Sequence, residues 1–252
     1  PEEDMVSRLK DSQPASRRRE RETMMMIIPI TPLITSMATL LVLVSKYTTA
    51  FSSSTTRFSR VQSNNEMKAT VYIALTIDGY IADEDGSVDF LTKFQTSAED
   101  DMGFSSFLDS IDLMIMGRKT WDQVVSFGEE VWPYGEKPVW IWSRSPDSVM
   151  IPECRKRQAR AMSSLPEELI ERAAGEGYSH VYVDGGSTIQ EFMKSNYIQE
   201  LILARVPLIL GDGIPLFSKV NRAELCHLST KCYKNGIVQS HYSINQISIV
   251  QT

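Results

Sequence analysis

Two short segments of the sequence combine glycine, cationic and hydroxyl side chains in an order suited to binding phosphate. The first, residues 116–121, reads Met-Gly-Arg-Lys-Thr-Trp and follows an apolar run. Gly117 would let the backbone turn closely, and free amides at the start of a following helix would face an anion. Arg118, Lys119 and the Thr120 hydroxyl would complete the site, since two adjacent cations suit a phosphomonoester. The alternative is a solvated helix start with surface cations.

The second segment, residues 183–188, reads Val-Asp-Gly-Gly-Ser-Thr and follows another apolar run. Gly185 and Gly186 would allow backbone amides to approach a pyrophosphate closely. Ser187 or Thr188 could cap a helix or bond a phosphate oxygen. The alternative is a plain tight turn with serine as the helix cap. Taken together, the two segments favour one extended nucleotide with separate phosphate groups.

Alternating strands and helices must position these two segments. Short apolar, β-rich runs predict strands, and the Asn-Gly turn within residues 234–236 predicts a C-terminal hairpin. We therefore expect an α/β fold with a mostly parallel central sheet flanked by helices and ending in an antiparallel hairpin. Such sheets bind ligands at the carboxyl ends of their strands. The predicted strands are residues 70–75, 113–116, 139–142, 180–183, 200–206, 223–233 and 236–249, and the predicted helices are residues 98–108, 119–126, 166–175 and 187–195.

The charge of the chain divides it into two parts. It has 252 residues and a net charge of −6, which argues against a protein held mainly by nucleic-acid phosphates. Residues 1–66 carry nine basic and seven acidic side chains, whereas residues 67–252 carry 17 and 25. We therefore predict a leader, residues 1–66, and one domain, residues 67–252. The three cysteines form no Cys-x-x-Cys pair and the three histidines are scattered, so no structural metal is expected.

The leader has the composition of a targeting sequence. Basic residues precede an apolar run over residues 24–44, and residues 51–65 hold two arginines, seven hydroxyl residues and no acid. With its Ala50-Phe51 junction, the leader resembles the two-part plastid presequence of algae with complex plastids. This implies a plastid location and no stable membrane partner after processing. The alternatives are a secreted or membrane-anchored protein, or a cytoplasmic protein that starts at Met67.

Four short segments occur in order along the domain. They are residues 75–82 (LTIDGYIA), 116–121 (MGRKTW), 183–187 (VDGGS) and 210–217 (LGDGIPLF). Together they resemble the dihydrofolate-reductase-like superfamily, nearest to the C-terminal reductase domain of the bacterial bifunctional riboflavin deaminase-reductase and its stand-alone relatives. The resemblance covers residues 67–247, and it implies an NADPH-dependent reductase that acts on a small molecule.

The resemblance also implies which residues meet the cofactor. In that family the strand that ends in Gly-Arg-Lys-Thr supports the cofactor phosphates, and the serine and arginine after the third strand border the adenosine. The implied cofactor-binding residues are Ala74 and Ile81 beside the nicotinamide, Gly117, Arg118, Lys119 and Thr120 at the phosphates, Ser143 and Arg144 at the adenosine, and Gly185, Gly186, Ser187 and Thr188 in the glycine turn.

Reduction of an imine or a carbonyl needs a proton as well as a hydride, so an acid near the first helix would suit. Asp101 is the first candidate, because dihydrofolate reductases carry a carboxylate near this place; the alternative is an acid that meets the helix dipole. Asp78 is the second, although Asp-Gly pairs are common in turns. Arg205 would face the substrate and bind a phosphorylated sugar, or else be a surface arginine at a strand end.

Three functions stay open at this point. The first is reduction of a pyrimidine of the 5-amino-6-(5-phosphoribosylamino)uracil type in riboflavin synthesis. The second is a pterin or folate reductase on the same fold, and the third is a non-catalytic module that binds NADPH. The zinc motif of base deaminases, His-x-Glu with Pro-Cys-x-x-Cys, is absent, so only the reductase step fits. A homodimer is the usual expectation for a soluble enzyme.

Overall fold

The computed structural model describes residues 67–94, 101–129 and 132–245. The predicted leader, and with it the targeting hypothesis, lies outside these residues and stays a prediction. The strands are β1 Lys68–Leu75, β2 Tyr80–Ala82, β3 Leu113–Gly117, β4 Val139–Trp142, β5 Ala159–Met162, β6 His180–Asp184, β7 Glu200–Arg205, β8 Ile214–Pro215, β9 Glu224–Cys232 and β10 Val238–Asn245. The helices are α1 Phe104–Ser110, α2 Arg118–Ser126, α3 Pro166–Gly175 and α4 Gly186–Lys194, with 3₁₀ turns at Asp89–Phe94, Pro146–Ser148 and Glu153–Arg155.

Eight of these strands form one twisted sheet in the order β5-β4-β3-β6-β1-β7-β10-β9. The first six strands in this order, β5-β4-β3-β6-β1-β7, pair in parallel. β10 is antiparallel to both β7 and β9. The predicted fold class is therefore confirmed. β2 and β8 form a separate antiparallel pair, which the sequence did not predict.

The core lies on both faces of this sheet, because successive side chains of a strand point to opposite sides. On β1, Tyr72 and Ala74 pack into the cluster that includes Phe104 of α1 and Trp121 of α2. The alternate residues of β1 pack into a second cluster with α3 and α4, where Phe192 is fully buried. Burial on both faces explains why the central strands read as continuous apolar runs.

Two predicted elements differ from the structure at their ends. The first helix begins at Phe104 instead of Ala98, because Met102 and Gly103 have positive φ angles of 54° and 82°, which an α-helix does not allow. In the C-terminal hairpin, the amide of Tyr233 donates to the Ile237 carbonyl across the predicted turn at residues 234–236, and the last strand begins at Val238 instead of Gly236. Residues 98–100 and 246–249 of the predicted elements lie outside the described residues.

Candidate active site

The two glycine segments lie side by side at the carboxyl edge of the sheet. β3 and β6 are neighbouring parallel strands, so the loops that follow them meet. A Cβ atom on Gly117 would lie 2.6 Å from the Thr188 hydroxyl oxygen. In the same way, a Cβ atom on Gly185 would lie 2.5 Å from the Thr120 hydroxyl oxygen. The close approach therefore requires glycine at both positions, and it unites segments that lie far apart in the sequence.

This arrangement brings two helix N-termini together. Gly117 and Gly185 are the N-cap residues of α2 and α4, and a glycine has no side chain with which to cap the amides of the first turn. Each helix start also carries a partial positive charge from the aligned peptide dipoles. Gly185 has a φ angle of 94°, which turns the chain away from β6 and into α4. Adjacent, uncapped helix starts form a natural anion site.

Two of the predicted cations, Arg118 and Lys119, are the first two residues of α2. Lys119 is exposed on the first turn of α2. The Arg118 guanidinium lies 3.3 Å from the Asp122 carboxylate and also donates to the Ser148 hydroxyl. Arg118 therefore links α2 to the loop that follows β4. If Arg118 also binds a phosphate, its N–H donors are divided among the phosphate, Asp122 and Ser148.

The residues predicted at the adenosine side follow the neighbouring strand, β4. Because Gly117 is in register with Trp142, Ser143 and Arg144 come next to the start of α2. Ser143 is buried, and its hydroxyl accepts a hydrogen bond of 3.1 Å from the Ser145 amide. Arg144 is exposed. The phosphate and adenosine residues predicted from the sequence thus form one continuous edge.

The two residues predicted beside the nicotinamide, Ala74 and Ile81, are buried near the carboxyl end of β1. Ala74 belongs to the core cluster of α1 and α2, whereas Ile81 belongs to the cluster of α3 and α4. The Cδ1 atom of Ile81 lies 2.5 Å from where a Cβ on Gly186 would be. Ile81 therefore contacts the glycine turn, and the nicotinamide contact itself stays a prediction.

Asp101 lies in the turn that precedes α1. Its two carboxylate oxygens accept hydrogen bonds of 2.8 Å from the amides of Gly103 and Ser105. Burial alone would raise the pKa of Asp101, but hydrogen bonds from Ser105 and Gly103, helped by the charge of Lys231, hold the pKa below its usual value. The carboxylate is therefore ionised at neutral pH. It can accept hydrogen bonds from a substrate, but it donates a proton only after taking one up.

Asp78 is exposed in the turn between β1 and β2. Its carboxylate accepts hydrogen bonds from the Thr76 hydroxyl and from the amides of Leu210 and Gly211. The Thr76 bond is the main cause that lowers the pKa of Asp78 to about 2; desolvation opposes it, and the amides of Gly211 and Leu210 lower the pKa further. An acid with such a pKa is a poor proton donor near neutral pH. The structure thus gives Asp78 a structural task that its position in an Asp-Gly turn did not reveal.

Arg205 is the last residue of β7, at the carboxyl end of the strand. Along β7 it shares a face with Leu201 and Leu203, which pack into the cluster of α3 and α4. Its guanidinium hydrogen-bonds the Tyr242 hydroxyl, which lowers the pKa of Tyr242. Asp101 lies on the opposite face, beside α1. Arg205 therefore does not lie beside Asp101, and its role in binding the substrate stays a prediction.

A buried polar network behind Asp101 was not found from the sequence. The Met102 carbonyl accepts hydrogen bonds from the hydroxyls of Tyr72 and Tyr233, at 2.8 and 3.0 Å, and from the Gln239 amide at 3.1 Å. Gln239 also donates to the Tyr72 hydroxyl at 2.6 Å. These bonds hold Met102 in its left-handed conformation and so fix the Asp101 turn. The only sequence signal was a glutamine in an otherwise ordinary strand.

A metal centre is not evident in this region. Within residues 67–94, 101–129 and 132–245, no three His, Cys, Asp or Glu side chains are grouped to hold a metal ion. Over the same ranges, the helices are too short or too polar to cross a membrane.

The sequence matches known families and proteins over this domain. The family model described as "RibD C-terminal domain" matches residues 68–239. YwjB of Bacillus subtilis (strain 168) is 36% identical over 181 residues, which are 70% of this chain and 98% of YwjB. YyaP of the same organism is 30% identical over 181 residues, 69% of this chain and 93% of YyaP. Both relatives are named as uncharacterized proteins, so they support a family and no activity.

Solved structures agree with this fold. A Shewanella sp. PV-4 protein named for riboflavin biosynthesis has a TM-score of 0.66 and 31% identity, covering 71% of this chain and 100% of its own. The deaminase/5-amino-6-(5-phosphoribosylamino)uracil reductase of Thermotoga maritima has a TM-score of 0.54 and 13% identity. It aligns with 71% of this chain and 57% of its own, and at that identity it supports the fold alone.

Proposed function

Because the chain belongs to the RibD C-terminal domain family, we propose that it is an NADPH-dependent reductase of a phosphoribosylaminopyrimidine in riboflavin synthesis. The family supports a reductase of the riboflavin pathway, and the proposal adds the cofactor and the substrate. The substrate would be of the 5-amino-6-(5-phosphoribosylamino)uracil type, as in the name of the Thermotoga maritima neighbour.

One observation carries the cofactor assignment, namely the contact between the two glycine segments. It brings the starts of α2 and α4 together, and their free amides suit the pyrophosphate of a dinucleotide. Arg118, Lys119 and Arg144 lie along the same edge and would favour a cofactor with an additional phosphate on its ribose. NADPH has that phosphate and NADH does not.

In this reaction NADPH would supply the hydride, and the protein would bind, orient and polarise. We propose that the C1′–O4′ bond of the ribose breaks, that the ring oxygen takes a proton from water, and that the resulting protonated imine receives the hydride at C1′. The ionised Asp101 would accept a hydrogen bond from the substrate and stabilise the positive charge of that imine. The turn at Asp101 is rigid because the Met102 carbonyl accepts three hydrogen bonds, two of them buried. A fixed carboxylate loses no free energy to reorganisation when the positive charge develops.

A substrate panel tests the proposal. Purified protein is mixed with NADPH or NADH and with the deaminated pyrimidine, dihydrofolate or no substrate, and oxidation of the cofactor is followed by absorbance. We expect NADPH to be oxidised when the pyrimidine is present, and not with dihydrofolate or without a substrate. Turnover of dihydrofolate in its place would favour the pterin or folate reductase, and NADPH binding without turnover of any substrate would favour the non-catalytic module.

A further inference from the structure

Two segments beside the glycine turn form a small, separately bonded unit. We call residues 76–82 and 208–216 the clasp. The amide of Ile77 donates to the Leu208 carbonyl at 2.9 Å, and the amide of Leu216 donates to the Gly79 carbonyl at 3.0 Å. Directly after the Gly79–Leu216 bond, β2 pairs with β8. The two segments of the clasp are therefore bonded to each other from Ile77 to Ala82.

Within residues 67–94 and 132–245, Asp78 is the residue whose carboxylate bonds one segment of the clasp to the other. One oxygen accepts from the Leu210 and Gly211 amides at 3.1 and 2.8 Å, while the other accepts from the Thr76 hydroxyl. Leu210 and Gly211 lie 132 and 133 residues away in the sequence. The side chain thus joins a distant loop to the end of β1, and it is exposed while doing so.

The clasp in turn contacts the glycine turn and α4. The Cδ1 atom of Ile81 lies so close to Gly186 that a Cβ there would be 2.5 Å from it. The Gln190 amide of α4 donates to the carbonyls of Pro215 and Leu216, at 2.9 and 3.2 Å. Gly213 approaches the Ala82 carbonyl so closely that a side chain there would collide with it. A movement of the clasp would therefore shift the first turn of α4.

We propose that Asp78 is a positioning residue, which holds the clasp so that Ile81 and Gln190 fix the glycine turn for the cofactor. The inference rests on the proposed function for its ligand, NADPH. Its physical basis is a continuous set of contacts that runs from the Asp78 carboxylate through the clasp to Gly186 and Gln190. Asp78 does not touch the cofactor site itself, so its effect is carried by the clasp.

Asp112 provides a matched control. It is also exposed, and its carboxylate also accepts from one hydroxyl and two backbone amides: Ser179 Oγ at 2.6 Å, the Ser179 amide at 2.9 Å and the His180 amide at 3.1 Å. It lies at the amino ends of β3 and β6, the opposite edge of the sheet from the glycine turn. Asp78→Asn and Asp112→Asn should therefore cost similar stability, while only one of them should affect the cofactor.

The test measures NADPH affinity and hydrogen exchange in the full chain, with unfolding followed for every variant. For Asp78→Asn we expect the NADPH Kd to rise about 3- to 30-fold, the range for residues that couple two sites through contacts. For Asp112→Asn we expect no change in Kd. Asp78→Glu keeps the charge and serves where Asp78→Asn does not fold; we expect a smaller rise in Kd.

Hydrogen exchange separates this inference from the proposed function, because it needs no cofactor. In Asp78→Asn the amides of residues 185–188 should exchange faster than in the unaltered protein, and in Asp112→Asn they should not. If the unaltered protein does not bind NADPH but this difference appears, the proposed cofactor is wrong and the positioning role stands. Equal exchange at residues 185–188 in both variants, with equal loss of stability, would overturn the positioning role.

Discussion

The Thr188 hydroxyl lies where a side chain on Gly117 would have to go. An added Cβ would be 2.6 Å from that oxygen, and Thr188 is itself 2% exposed, so it has little room to move. Two loops that the sequence separates by about 70 residues therefore share one packed contact. The contact sets the distance between the starts of α2 and α4, and with it the shape of the proposed phosphate site.

Gly117→Ala should consequently weaken NADPH binding. The new methyl group would push the two helix starts apart, and overpacking of this kind costs about 1–3 kcal/mol. Gly175→Ala is the control, because a Cβ there meets nothing within 4 Å. Isothermal titration with NADPH would measure both variants. Unchanged affinity in a folded Gly117→Ala protein would show that the spacing of the two helix starts does not matter.

Replacing Arg118 and Lys119 by alanine should weaken NADPH far more than NADH. Each lost contact to the additional phosphate would cost about 1–3 kcal/mol. Lys156→Ala is a suitable control, since Lys156 pairs with Glu153 at 2.5 Å on an exposed 3₁₀ turn. Fluorescence titrations would measure the affinities of both variants and of the unaltered protein for NADPH and for NADH. An equal loss for NADPH and NADH would contradict a role at the ribose phosphate.

Asp101→Asn should slow the reaction and leave NADPH affinity unchanged. Asparagine has nearly the same shape, but its amide group carries no charge to stabilise a protonated imine, and we expect kcat to fall about 100-fold or more. Because the pKa of Asp101 is lowered, the active ionised form persists at neutral pH and is lost as the pH falls through that lowered pKa. Activity should therefore drop on the acid side.

An exposed acid in the helix that follows Asp101 controls for this result. Asp109→Asn in α1 should retain the activity of the unaltered protein. If the neutral acid were the working form of Asp101, the rate would instead rise as the pH falls. The pH dependence of kcat for the pyrimidine substrate therefore distinguishes a proton donor from a charge stabiliser.

The sequence predicted the long elements well and the short ones poorly. Apolar runs such as β6 are buried on both faces, so composition alone identifies them. β5 was missed because it is a short edge strand that carries Arg160, whose guanidinium packs over the Trp140 ring at 4.2 Å. A charged residue on an edge strand is common, but it conceals the strand pattern.

The sequence predicted that the two glycine segments act together, whereas their contact through Thr120 and Thr188 is seen only in the structure. Gly117 and Gly185 could be recognised because only glycine allows such a close backbone approach. The Tyr242 partner of Arg205 could not be predicted, because it depends on the pairing of β7 with β10. The contacts of Asp78 depend on a loop 132 residues away, which no local pattern reveals.

Stability in acid should depend on Asp78 in a defined pH range. The pKa of Asp78 is lowered from 3.8 to about 2, first by the Thr76 hydroxyl and then by the amides of Gly211 and Leu210. A group whose pKa is lower in the folded state stabilises the protein above its unfolded pKa and loses this effect as the pH falls through the folded value. Urea unfolding of the unaltered protein and of Asp78→Asn should therefore differ by a constant amount above pH about 4, and the difference should shrink between pH about 4 and pH about 2. A difference that stays constant across this range would mean that the Asp78 carboxylate does not accept these hydrogen bonds in the folded protein.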